Sequence, residues 1–91
     1  MPHSRFGGDE IERRGREIYE RHLREKVETE ANIGKIIAID IETGDYEIDD
    51  DVLEAANRLH AKHPDAALWG ERIGYDAAYA LGGGVLTRIV R

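Results

Sequence analysis

The sequence predicts an α+β fold: a small antiparallel-rich sheet of three to four strands with two helices on one face, ordered α-β-β-α-β with room for a further strand. Three observations carry this. Residues 9–28 show a helical apolar stripe flanked by charges that pair i to i+4. Residues 35–49 hold two strand-like runs joined by Thr43-Gly44, the short link of a hairpin. Residues 52–62 return to helical spacing before a third β-like run.

Residues 1–8 hold Pro2, Gly7 and Gly8 and read as a flexible tail. Asp9 is a candidate cap for the first helix. Ile11, Ile18, Tyr19, His22, Leu23 and Val27 share one stripe. Gly15 lies on it, where a small residue permits close approach. Residues 28–34 are a polar connection. Isoleucine then fills the run 35–42, and β-branching favours a strand. Ile37, Ile39 and Ile41 point one way; Ile36, Ala38, Asp40 and Glu42 point the other. Both faces begin apolar, which suits a central strand.

Asp45 to Asp49 alternates strictly, with Tyr46 and Ile48 inward. Asp49 or Asp50 is placed to cap the second helix, whose apolar face is Val52, Leu53, Ala55, Ala56 and Leu59. His63-Pro64 ends it. A third strand follows from Ala66, with Ala67, Trp69, Ile73 and Tyr75 alternating against Leu68, Gly70 and Arg72. Asp76 to Ala80 is a helical turn or a bend. Residues 9–81 thus form a single domain. In 82–91, Gly82-Gly83-Gly84 makes a break, and Val85 to Val90 is a short strand or a mobile tail. A crossover from the second strand sets the third beside the first. With both helices on one face, Ile36 and Ala38 would lie on the other, partly uncovered, as a partner surface does.

The chain has 91 residues, 13 Lys and Arg, 19 Asp and Glu, and net charge −6. That balance argues against nucleic acid as a partner, since phosphate binding needs clustered cations. Without cysteine there is no thiolate chemistry, disulfide or cysteine-held zinc. No apolar run approaches the ~20 residues of a membrane span. The start Met-Pro-His-Ser-Arg lacks an apolar signal core, so a cytoplasmic location is expected. From Asp40 to Asp51 there are seven acids and no base, which marks that stretch as the electrostatic feature of the surface.

Ile36 to Gly44 resembles the first motif of the metal-dependent 3′–5′ exonucleases, an apolar strand followed by Asp-x-Glu-Thr-Gly. That resemblance implies that Asp40 and Glu42 bind divalent metals for phosphoryl transfer. The rest of the pattern is missing: a longer chain, two further aspartates, and a His or Tyr base. Asp76 beside Tyr75 lies too close in sequence to serve. The ordinary alternative is that Asp40 and Glu42 flank a turn at the solvated end of the strand. No catalytic residue, metal site or cofactor is expected. Asp49-Asp50-Asp51 lacks EF-hand spacing. His60 and His63, three apart, are ordinary at a helix end. Gly82 to Gly84 is not followed by the Lys-Ser or Lys-Thr of a phosphate loop.

Trp69, Arg72, Tyr75 and Tyr79 are residue types that dominate binding hot spots, although Trp69 and Tyr75 also suit a core. The run Gly34 to Asp49, with His63-Pro64-Asp65-Ala66 and Arg72-Ile73-Gly74-Tyr75, resembles a group of small uncharacterised bacterial proteins, many cyanobacterial. The resemblance covers roughly residues 10–80 and implies an antitoxin-like or accessory role with no assigned catalytic residues. The expected function is a non-catalytic protein-interaction module. Its acidic hairpin (Asp40, Glu42, Asp45, Glu47) and aromatic/Arg patch (Trp69, Arg72, Tyr75) would contact a partner protein. A homo-oligomeric structural protein, paired through the C-terminal segment or an edge strand, is the alternative. A metal-dependent hydrolase using Asp40 and Glu42 is the third.

Overall fold

The computed structural model describes residues 6–75, 78–82 and 85–89. The first helical rod is α1 (Gly8–Ile18), a π turn (Tyr19–Leu23) and α2 (Arg24–Val27). Its buried positions are Ile11, Gly15, Tyr19, Leu23 and Val27, a strict four-residue repeat. An α-helix turns about 100° per residue, so each such step overshoots by about 40°. An unbroken α-helix would carry this stripe off the sheet. The π turn is wider and underwound, and it brings Tyr19, Leu23 and Val27 back to the sheet. His22, expected on the stripe, is exposed. Gly7 is the N-cap and Asp9 lies in the first turn, where its charge suits the dipole. The structure begins earlier than the expected tail allows. Phe6 packs against the core, and the Arg14 guanidinium sits 4.7 Å over its ring. Residues 1–5 of that tail lie outside the described residues.

The sheet contains β1 (Ile36–Asp40), β2 (Tyr46–Asp49), β3 (Leu68–Arg72), β4 (Ala78–Gly82) and β5 (Val85–Ile89). They are ordered β2-β1-β3-β4-β5, and every neighbouring pair is antiparallel. The α+β class, the hairpin and the placing of β3 beside β1 follow the sequence. Strand number exceeds the expected three to four: residues read as a turn or bend form β4, while the segment after the glycines forms β5, the short strand of its two expected alternatives. Gly82 closes β4 rather than breaking the chain, while Asp76, Ala77, Gly83 and Gly84 lie outside the described residues.

The helices lie on opposite faces, not on one. Ile37, Ile39, Trp69 and Ile73 join Ile11, Tyr19, Leu23 and Val27 in one core layer. Ala38 and Leu68 join Ala55, Ala56 and Leu59 of α3 (Val52–Lys62) in another. Side chains alternate along a strand, so each face of β1 and β3 is apolar for a different helix. Ala38 is therefore covered, and its expected role in a bare partner surface falls away. Small residues at 38, 55 and 56 let α3 approach the sheet closely. The helical rod packs on β3 and β4, whereas α3 packs mainly on β1 and β2. The β4–β5 end extends past α3.

Candidate functional site: the hairpin and the two sheet edges

Asp40 ends β1 and is only 2% exposed. Its Oδ1 accepts the backbone N–H groups of Glu42 at 2.9 Å and Thr43 at 3.4 Å. Gly44, at φ 80°, completes the turn by donating to the Asp40 carbonyl. The Asp-x-Glu-Thr-Gly spacing is thus that of an aspartate holding its own turn. Glu42 lies beyond the strand and is exposed, so the two carboxylates do not share a strand face. Among the described residues no three His, Asp or Glu side chains are grouped to hold a metal ion. Asp40→Ala should cost about 1–3 kcal/mol, the range for a buried polar group losing its partner, and Asp40→Asn much less because its amide oxygen still accepts. Urea unfolding of the two variants checks this; equal losses would contradict the turn role.

The remaining hairpin acids meet Arg58 and Lys62 of α3 and His63 at its C-terminal end. The His63 Nε2–H donates to Asp45 Oδ2 at 3.0 Å. Its Nδ1 lies 3.9 Å from Asp40 Oδ2. Lys62 Nζ reaches Glu47 at 2.5 Å and Asp45 at 3.6 Å. Arg58 donates to Glu47 at 3.1 Å, Asp49 at 2.9 Å and the Ile48 carbonyl at 2.7 Å. Bonds from His63 and the Tyr46 N–H hold Asp45 below its ordinary carboxylate value. Lys62 and then Arg58 do the same for Glu47. For Asp49 the Asp51 N–H acts first and Arg58 second. Depressed values mean that these pairs stabilise the fold above the ordinary carboxylate range, and that this contribution fades as pH falls through the lowered values. Asp51, one residue past the expected cap, accepts the Leu53 N–H at 2.9 Å and starts α3.

The acidic hairpin is therefore the dock for α3. Spacing on β2 put Asp45, Glu47 and Asp49 on one face, and the spacing of Arg58, Lys62 and His63 was the matching signal. An open cleft of about 280 Å³ remains between the β1–β2 turn and the end of α3, lined by Asp40, Glu42, Thr43, Lys62, His63 and Asp65 among others. His60 bonds the Ala66 carbonyl at 3.0 Å.

The aromatic/Arg patch divides. Trp69 is fully buried under Gly15, with the Arg16 guanidinium 4.8 Å over its ring. It belongs to the core and offers no surface to a partner. Arg72 is half-buried and donates to the Gly34 carbonyl at 2.6 Å, tying β3 to the turn before β1. Tyr75 is 57% exposed in the turn that follows β3. Of the seven expected contact residues, Glu42 and Tyr75 are the ones that lie on the open surface. The side chain of Tyr79 lies outside the described residues.

Glu71, an exception to the expected alternation, is a buried carboxylate that accepts the Trp69 indole N–H at 3.0 Å. Burial pushes its pKa up, against the pull of Trp69 and Arg16. A raised folded-state value costs stability where the group is charged, and the cost is relieved as pH falls through that value. Glu71→Gln should therefore unfold at higher urea than the parent at pH 7, with the gap closing near pH 4. A variant weaker at pH 7 would show that the charge, through Arg16, is needed. Tyr19 is buried beside it and donates to Glu28 at 2.6 Å; burial and Glu28 push its pKa up.

The two edges of the sheet differ. Asp40 N–H bonds to Asp45, whereas Ile41 N–H bonds to Ala67 and Ile73 N–H to Lys35. Even residues of β1 thus bond to β2 and odd ones to β3. Bonding alternates along an antiparallel pair, so Tyr46 and Ile48 of β2 turn their backbone groups outward. That edge is partly closed: the Tyr46 N–H donates to Asp45 Oδ1 and the Ile48 carbonyl accepts Arg58. Carried across β3 and β4 by the observed register, the same alternation bonds Val85, Thr87 and Ile89 to β4. Leu86 and Arg88 then turn their N–H and C=O groups outward along the other edge. Residues 77–91 contain no acid.

No protein-family model matches the chain, and neither a curated protein nor a solved structure matches it. No helix of the described residues is long and apolar enough to cross a membrane.

Proposed function

We propose that this chain is a non-catalytic protein-interaction module, an antitoxin-like or accessory subunit, that associates by adding a strand along β5. The observation that supports this best is at the two edge strands: β2 is partly closed by Asp45 and Arg58, and β5, the other edge, turns the backbone groups of Leu86 and Arg88 outward. An exposed strand edge binds another chain through its main-chain groups. The polar clusters around Asp40, Asp45, Glu47 and Glu71 have structural tasks, which favours binding over chemistry. The acidic hairpin drops out as the contact surface, because Arg58, Lys62 and His63 occupy it. Tyr75, exposed in the turn after β3, remains an expected side-chain contact.

The test is affinity capture from host-cell extract, with the parent and Arg88→Pro as baits. Proline at 88 removes an outward N–H and leaves the β4 ladder intact. A protein enriched by the parent and lost with Arg88→Pro, a second copy included, supports the reading. Identical capture by both baits, or no enrichment, overturns it.

A further inference from the structure

We infer that the occupant of the β5 edge is a second copy of this chain, paired antiparallel about a two-fold axis at Thr87; this rests on the association reading above. Leu86 and Arg88 carry the outward backbone groups of β5. One symmetric register uses all four: Leu86 of each copy opposite Arg88 of the other, each pair exchanging two N–H···O=C bonds. Thr87 then faces its own copy in a non-hydrogen-bonded pair. Registers centred on Leu86 or Arg88 bond just one pair within the strand. The chosen register also sets each arginine opposite a leucine, and Thr–Thr is a favourable cross-strand pair.

Charge favours this seam over others. A chain of net charge −6 repels its own copies, and of the two edge strands β2 contains Glu47 and Asp49, whereas β5 contains no acid. Because β2 is partly closed by Asp45 and Arg58, pairing stops at two copies rather than running on as a fibre. The result is a closed dimer with one continuous sheet.

A cysteine-free chain makes the register directly testable. Opposed residues in a non-hydrogen-bonded pair have Cα atoms about 4.5 Å apart, within the range of about 4.4–6.8 Å that a disulfide spans. Thr87→Cys should cross-link to dimer on mild oxidation, and Thr43→Cys, at the far turn, should not. Val85→Cys and Ile89→Cys should cross-link when mixed and not separately. In sedimentation equilibrium the parent and Arg88→Ala should show about twice the chain mass, and Arg88→Pro the single mass with an unchanged circular dichroism spectrum. If Arg88→Pro loses that spectrum, the cysteine pairs decide the matter. A parent that stays monomeric at millimolar concentration, or a dimer in which Thr87→Cys does not cross-link, overturns self-pairing. If the capture experiment still finds a different protein lost with Arg88→Pro, the association reading survives that failure.

Discussion

Gly15→Ala should destabilise the protein, although alanine is the better helix former. A Cβ built at Gly15 lies 2.2 Å from both Cβ and Cγ of Trp69, the fixed root of a buried side chain. Neither partner has room to give, because Trp69 is held by Arg16 above and by its indole bond to Glu71. Overpacking of this kind costs about 1–3 kcal/mol and more where nothing moves, against a helix gain of about 1 kcal/mol. The net should be a clear fall in the urea midpoint. Gly8→Ala is the control: nothing lies within 4 Å of its added Cβ, so the midpoint should hold or rise. Equal behaviour of the two variants would mean that α1 does not seat on Trp69.

Trp69→Ala should be the more damaging change, at about 3–5 kcal/mol. It empties the largest fully buried position, beneath α1, and strips Glu71 of its donor. Small domains have total stabilities near 5–15 kcal/mol, so the variant is expected at the edge of unfolding at room temperature. Trp69→Phe keeps most of the volume and loses the indole bond, which separates packing from hydrogen bonding. Had Trp69 been a partner-facing residue, Trp69→Ala would leave the urea midpoint unchanged.

Much of the fold was legible because local patterns and tertiary needs agreed. The isoleucine run, Thr43-Gly44 and the alternation of Tyr46 and Ile48 specified the β1–β2 hairpin, which the register confirms. The 52–62 spacing specified α3. Faces were harder. Ala38 was read as bare because alanine does not announce how closely a helix approaches, yet small residues at 38, 55 and 56 are what admit α3. The strands β4 and β5 carry short alternations broken by glycine, and their pairing depends on β3 rather than on their own pattern.

The site was less legible, for an electrostatic reason. A run of acids in one dimension suggested a free negative rim. Its hydrogen-bonding partners lie 9 to 18 residues later, and only the alternation of β2 against the helical spacing of α3 brings them together. Trp69 and Glu71 show the same limit. The type of Trp69 suggested a hot spot, and burial beneath Gly15 made it core, while Glu71 is buried as its indole acceptor. Which strands form the edges of the sheet depends on strand order, which no local pattern contains.

The open β5 edge is the central claim, and amide hydrogen exchange tests it most directly. The Leu86 and Arg88 amides should gain protection as protein concentration rises, while the Ile48 amide, outward on the opposite edge, keeps the same rate. Fast, concentration-independent exchange at Leu86 and Arg88, matching that of Ile48, would contradict it.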